Sequence, residues 1–455
     1  MTIAQELARR GLAIRYENLS EHAIKWAEIG FLDTVGVTLA GSQEPCCKIL
    51  CGIPGVSDAD GPCLVFGNPQ RGTLLDASMI NATASHALDF DDFASGIGGH
   101  PSVPLVSTIL AVGDTEDISG QQAISAYVAG FEVESRLGRA VHPHHYDKGW
   151  HPTATLGIFG TVIAFSHLIG LDVHRTATAL AIATSLASGT KANFGSMTKP
   201  LHVGHSVRNG MMATLLARDG FTANLECFEH KQGFLAAFQG DVACDVSDLF
   251  ENWANPLEIV EPGFGLKQFP CCGSTHTAIN CMIELRNDYQ LLPEHVRSVQ
   301  VLVNPRRLPH TNNPNPITGL EGKFSLPYLV ARALVDGQVL LHHFDDQALN
   351  DPSVRNAMSL ITTGAHPEMP ANSENQFGAE VAVELCNGRR LVRRIDHRLG
   401  RGSDYPMSDE ELRQKFDDCA GRVLSAQHVD NLFGALQGLR GLQQIRVLSD
   451  VIAGS

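Results

Sequence analysis

The stretch Ala154–Leu171, ATLGIFGTVIAFSHLIGL, is the longest apolar run in the chain, and it decides between a membrane span and a buried core helix. Gly157, Gly160, Ser166 and His167 interrupt it, whereas a membrane helix needs about 20 clean apolar residues. It is therefore expected to be one helix inside a soluble core. Gly157, Gly160 and Ala164 share about one side, so a neighbouring helix can approach its backbone closely. Outward from this run the first 265 or so residues carry helical spacing almost throughout. Ser119 and Gln122 form a capping box ahead of Ile124, Tyr127, Val128, Phe131 and Leu137, and further helices are expected over 20–40, 73–88, 102–113, 174–188 and 205–219. No alternation of strands and helices occurs here, which argues against a doubly wound nucleotide-binding fold.

The texture changes near residue 266. Val299, Val301 and Val303 alternate with Ser298, Gln300 and Leu302, the period of a strand with one buried face. In Glu380–Ile395 two β-rich runs flank Asn387-Gly388, the pair suited to a type I′ hairpin turn. Phe324–Val335 and Ser353–Thr362 are expected to be helical between these strands. An irregular stretch from Gly400 to Pro406 follows, and then a second capping box, Ser408 with Glu411, opens the C-terminal helices. The fold class expected is mainly α with an α+β second domain. A large all-helical domain would be formed by both chain ends, 1–265 and 396–455, with an α+β lid inserted at 266–395 that closes over a cleft.

The 455 residues allow two or three domains. With 34 Lys+Arg against 49 Asp+Glu the formal net charge is −15, which argues against nucleic acid or an anionic membrane as partner. Eleven cysteines, an odd number in no regular framework, do not form a disulfide scaffold. The start, Met1-Thr2-Ile3-Ala4-Gln5-Glu6, lacks the basic and apolar pattern of an export signal, so a cytoplasmic protein with reduced thiols is expected.

Four polar clusters interrupt the apolar helices. The first runs from Asn81 through His86, Asp89, Asp91 and Asp92 to His100. Its three carboxylates at a helix C-terminus oppose the macrodipole and call for a compensating partner; they could orient a histidine, hydrogen-bond a substrate, or face solvent. The second, His142–His151, places His151 before a helix N-terminus, where the neutral ring is favoured and a general base is available. A metal site on its four histidines is disfavoured, because a shared helix face is absent and Pro143 breaks the segment. The third, Lys191–Arg208, carries three positive charges and two histidines, His202 and His205, with no acid. Such a stretch suits a substrate with two or three carboxylates, and Lys199, beside Pro200 at a helix start, is its best candidate. The fourth, Lys267–Thr277, presents Ser274 or His276 at a helix start; Cys271 and Cys272 are expected to be inert buried thiols.

In order along the chain, HALDFDD with GHPS, HYDKGWHPTATLG, TKPLHVGHSVRNG, KQFPCCGSTHTAI, GLEGKFSLPYLVARAL and MSDEELRQKF resemble the MmgE/PrpD family over nearly the whole length. The resemblance implies a helical domain plus an α+β lid, a homodimer, a site in the cleft between the domains, and neither metal nor organic cofactor. It implies a small di- or tricarboxylate substrate and a proton transferred on the carbon α to a carboxylate. Asp89, His100, His151 and Lys199 are the implied site residues. Tyr146 joins them as a possible acid, and His202, Lys267, Ser274, His276 and Asp92 as substrate contacts. The reaction expected is dehydration of a 2-methylcitrate-like acid; the alternatives are epimerisation of an iminodisuccinate-like aminodicarboxylate or decarboxylation of cis-aconitate, with a non-catalytic polycarboxylate binder as the further rival. Phe93 stands where the decarboxylase branch has Thr, which counts against decarboxylation.

Overall fold

A computed structural model describes residues 1–56, 59–240, 246, 249–371, 377–396 and 401–454. They fall into two compact units, one comprising Met1–Leu266 with Ser408–Ser455 and the other Lys267–Met407. Gly400, at the head of the irregular stretch noted above, lies outside the described residues.

The first unit is a set of packed helices. Its long members include Glu21–Gly41, Leu74–Ala87, Ser102–Gly113, Gly120–Val141, Gly157–Leu168, Val173–Thr184 and Thr198–Arg218. Their starts are written in the sequence: Ser20, Thr73, Ser119 and Asp172 each accept a backbone N–H of the first turn, and Ser119 completes the expected box with Gln122. The apolar run at 154–171 is buried as expected but is not one helix. It is divided at Leu156 into Pro152–Thr155 and Gly157–Leu168, where glycines contribute little to helix stability. Its small residues do permit close approach: a Cβ on Gly130 of the neighbouring helix would come within 2.8 Å of the Gly160 carbonyl oxygen.

The C-terminal part of the chain completes this unit. Ser408 and Glu411 form the second capping box and start the Asp409–Ala420 helix. From that helix Lys415 reaches inward, pairing with Asp33 at 2.5 Å and donating to the Phe90 carbonyl at 3.0 Å. Both side chains are nearly sealed from solvent. No described helix is long and apolar enough to cross a membrane.

The second unit holds a four-stranded mixed sheet in the order Ile361–Ala365, Val296–Val303, Ala379–Leu385, Arg390–Ile395. The first pair is parallel and the other two are antiparallel. Val296, Val299, Val301 and Val303 pack with the His276–Tyr289 and Leu326–Asp336 helices in one apolar core. Two expectations are corrected here. The helix predicted over 353–362 stops at Ser359, and the β-branched Ile361-Thr362-Thr363 form an edge strand instead. The hairpin also turns differently. Gly388 has φ +85° but Asn387 does not have positive φ, and the Gly388 N–H bonds the Leu385 carbonyl at 2.9 Å, as in a three-residue loop with a glycine bulge.

The Lys415–Asp33 pair yields a stability prediction. Lys415→Met leaves a buried carboxylate without its cation and is expected to cost about 3–5 kcal/mol in denaturant unfolding, while the double variant Lys415→Met/Asp33→Leu recovers most of that loss. A single variant as stable as the parent would show that the pair does not hold the C-terminal helix in place.

Candidate active site

The Leu74–Ala87 helix packs more extensively against Thr198–Arg218 than against any other described element. The contact is tight at Gly204, where a Cβ would lie 2.5 Å from the Met79 carbonyl oxygen and 2.2 Å from Thr83 Oγ1. Arg208 lies 3.6 Å from Asp76, and Lys199 donates from Nζ to Asp89 Oδ1 at 2.6 Å. The order of these contacts makes the two helices antiparallel. Asp89 follows the helix end with φ +53°, the left-handed region that an L-residue enters at a cost of roughly 1–2 kcal/mol, less for Asp than for most. This reversal turns its carboxylate toward Lys199.

Two residues on, Asp91 is fully buried between two rings. Its Oδ2 lies 2.7 Å from His86 Nδ1 and 3.0 Å from His100 Nδ1. On the far side of its ring His100 Nε2 is 3.8 Å from Asp89 Oδ1. The His86 ring centroid is 4.7 Å from that of His100 and 5.3 Å from that of His151. His151 Nδ1 in turn meets His202 Nδ1 at 3.2 Å, a contact in which one ring must donate and the other accept. Phe194 closes the group, edge-on to His151 at 4.9 Å and 5.2 Å from Lys199 Nζ. The N–H of His151 is fixed by the Gly189 carbonyl at 3.0 Å, so the ring is held from its backbone as well.

The electrostatics follow from burial. Loss of solvent pushes His151 well below the ordinary imidazole range, with His86 and Lys199 adding to the effect, so this ring is neutral near pH 7 and can accept a proton. Burial likewise brings His86 down to about 4 against the attraction of Asp91. Burial raises the Asp91 carboxyl, but His100 and His86 outweigh it and hold it well below the usual carboxylate range. An ionised Asp91 beside a neutral His86 accepts that ring's Nδ1–H.

Of the expected site residues, Asp89, His100, His151, Lys199 and His202 therefore come together in the first unit. Asp92 is bonded elsewhere. It is fully buried, its carboxylate accepts the Ser102 N–H at 3.3 Å and the Ser102 hydroxyl, and burial pushes it well above its ordinary value. It anchors the start of the Ser102–Gly113 helix. The face of Tyr146 lies 3.2 Å beneath Lys191 Nζ. Lys267, Ser274 and His276 belong to the second unit: Ser274 Oγ is 3.3 Å from His310 Nε2, and His276 Nε2 is 3.3 Å from the Cys271 carbonyl oxygen. His86, Asp91 and Phe194 were not singled out as site residues from the sequence. The signal for Asp91 was present in the unexplained carboxylates, but which of the three faces the histidines depends on the left-handed turn at Asp89.

Two family models match the chain, the MmgE/PrpD N-terminal domain over residues 5–246 and the MmgE/PrpD C-terminal domain over 269–436. Among curated relatives, a cis-aconitate decarboxylase from Homo sapiens is 27% identical, covering 100% of this chain and 95% of that protein. A cis-aconitate decarboxylase from Aspergillus terreus is 25% identical over 99% and 96% of the two chains, and a cis-aconitate decarboxylase-like protein, oryM, from Aspergillus oryzae is 26% identical over 99% and 97%. Both halves match in order and together span most of the sequence, and the chain accordingly belongs to the MmgE/PrpD family.

Proposed function

We propose that the chain is a lyase for a small polycarboxylate of the cis-aconitate type, acting by proton transfer at a carbon α to a carboxylate. The supporting observation is the contiguous set Lys199–Asp89–His100–Asp91, joined through Asp91 to His86, on whose ring the neutral His151 stacks. Lys199 holds a substrate carboxylate, exchanging it for Asp89. His100, backed by Asp91 at Nδ1, presents Nε2 as the proton donor that decarboxylation needs, and His151 is the acceptor that removes the α-proton in the dehydration reading below. In decarboxylation the bond to the departing carboxylate breaks, CO₂ leaves, and the electron pair moves through the double bond onto the carbon α to another carboxylate, where the donor delivers a proton. Stabilising that enolate-like charge is the work of Lys199, and positioned proton transfer adds about 10²–10⁴-fold.

Dehydration is the second reading. It needs the same α-proton, removed instead of delivered, and an acid for the departing hydroxyl. Full-length relatives named as decarboxylases support decarboxylation as the first reading, whereas Phe93, where the chain departs from that branch, counts against it. Its backbone is fixed immediately after Asp92 by paired bonds to Gly265 of 2.9 and 2.8 Å, so the departure falls beside the site residues.

Incubation with cis-aconitate in D₂O, followed by NMR, is expected to show CO₂ loss and one deuterium at the carbon α to a remaining carboxylate. Water loss from 2-methylcitrate would establish the second reading instead, and no turnover or exchange with either acid, citrate or iminodisuccinate would overturn the lyase assignment. Asp89→Gly relieves the left-handed backbone while removing the carboxylate: the melting temperature is expected to hold or rise while kcat/KM drops at least 10²-fold. Equal activity would remove Asp89 from the site. Because the folded environment lowers the proton affinity of His151, its neutral form persists as pH falls, and kcat for water loss is expected to show no acid decline between pH 7.5 and about 6. An acid limb centred on the ordinary imidazole value near 6.5 would exclude His151 as the acceptor.

A further inference from the structure

His86, Asp89 and His100 each offer one ligand atom, and these three atoms lie within 4.8 Å of one another. Ligand atoms around a tetrahedral zinc ion are about 3.4 Å apart, given metal–ligand lengths of about 2.1 Å. Side-chain adjustment of roughly 1 Å therefore separates the observed arrangement from a complete coordination face. Three further observations point the same way. Asp91 Oδ2 is hydrogen-bonded to His86 Nδ1 at 2.7 Å and lies 3.0 Å from His100 Nδ1, the placement of an outer carboxylate that orients a metal-binding imidazole through the nitrogen that does not ligate. His86 Nε2 is buried and has no hydrogen-bond partner among the described residues, which leaves its lone pair available to a ligand. The cation already at this position is the Lys199 ammonium, 2.6 Å from Asp89 Oδ1.

We infer that His86, His100 and Asp89 form a binding site for one divalent transition-metal ion of the zinc type, which takes the place of the Lys199 ammonium on Asp89. Two imidazoles and one carboxylate select zinc or a similar borderline ion over magnesium or calcium, which prefer oxygen ligands throughout. A metal seated there withdraws Asp89 and His100 from proton transfer, so zinc acts as an inhibitor that competes with the Lys199–Asp89 pair. The site rests on the arrangement of these side chains and not on the identity of the reaction.

Calorimetric titration of the full chain with zinc chloride in a non-chelating buffer tests this without reference to turnover. One equivalent is expected to bind. Affinity is expected to fall at least tenfold in His100→Asn and in Asp89→Asn, both at partly exposed positions, and to rise at least tenfold in Lys199→Met, where the competing cation is gone. Unchanged melting temperatures of the metal-free variants confirm that folding is intact. Absence of a one-to-one site, equal affinity in His100→Asn, or binding no tighter in Lys199→Met would overturn the inference. If zinc binds as expected while no acid is turned over, the lyase reading fails and the metal site stands.

Discussion

The antiparallel contact between the Leu74–Ala87 and Thr198–Arg218 helices is the constraint on which the site depends. A methyl group at Gly204 would collide with the Met79 carbonyl, so the two backbones approach as closely as they do only with glycine there. That approach sets the C-terminus of one helix beside the N-terminus of the other. The negative end of the first macrodipole then faces the positive end of the second, and Lys199, in the opening turn of its own helix, lies at the carboxyl end of its neighbour. Carboxylates at a helix C-terminus are unfavourable in isolation. Here Lys199 and the adjoining helix start compensate them, and Lys415 holds the intervening Phe90 carbonyl from the other end of the chain.

Burial then assigns different tasks to chemically similar groups. Asp91 and Asp92 are adjacent and equally hidden, yet one is held ionised by two histidines while the other is pushed toward its neutral form beside Ser102. The difference is the company each keeps. A buried carboxylate persists as an anion only where a cation or several donors face it, and the chain reversal at Asp89 delivers histidines to one acid and a hydroxyl to the other. His86 and His151 are kept neutral by the same loss of solvent.

Much of this was legible in the sequence because it rests on local chemistry. Ser119 with Gln122 and Ser408 with Glu411 mark helix starts that the structure contains, and the alternating valines from Val299 mark the central strand. Asp89, His100, His151 and Lys199 stood out because charge and imidazole interrupt apolar helices. What escaped was set by tertiary context. The edge strand at Ile361 exists because it pairs in parallel with residues some sixty positions earlier, and no short-range pattern announces such a partner. Three acids within four residues carry no label for which one meets a histidine. Asp92 was therefore counted as a substrate contact and Asp91 was not.

The acid-free stretch from Lys191 to Arg208 takes on a different meaning once its neighbours in space are known. Arg208 lies near Asp76, and Lys199 is bonded to Asp89, so neither is a free positive charge waiting for a polyanion. An incoming carboxylate must take Lys199 from Asp89, and a cation must take Asp89 from Lys199. Exchange of this kind discriminates by geometry more than by net charge, because the new partner gains only the difference between two close ion pairs. A small polycarboxylate that presents one carboxyl to Lys199 and a second group to the histidines gains two contacts for the one it displaces. A single carboxylate gains one and displaces one, so under the proposed function a net charge of −15 is no obstacle to an anionic substrate that offers both groups.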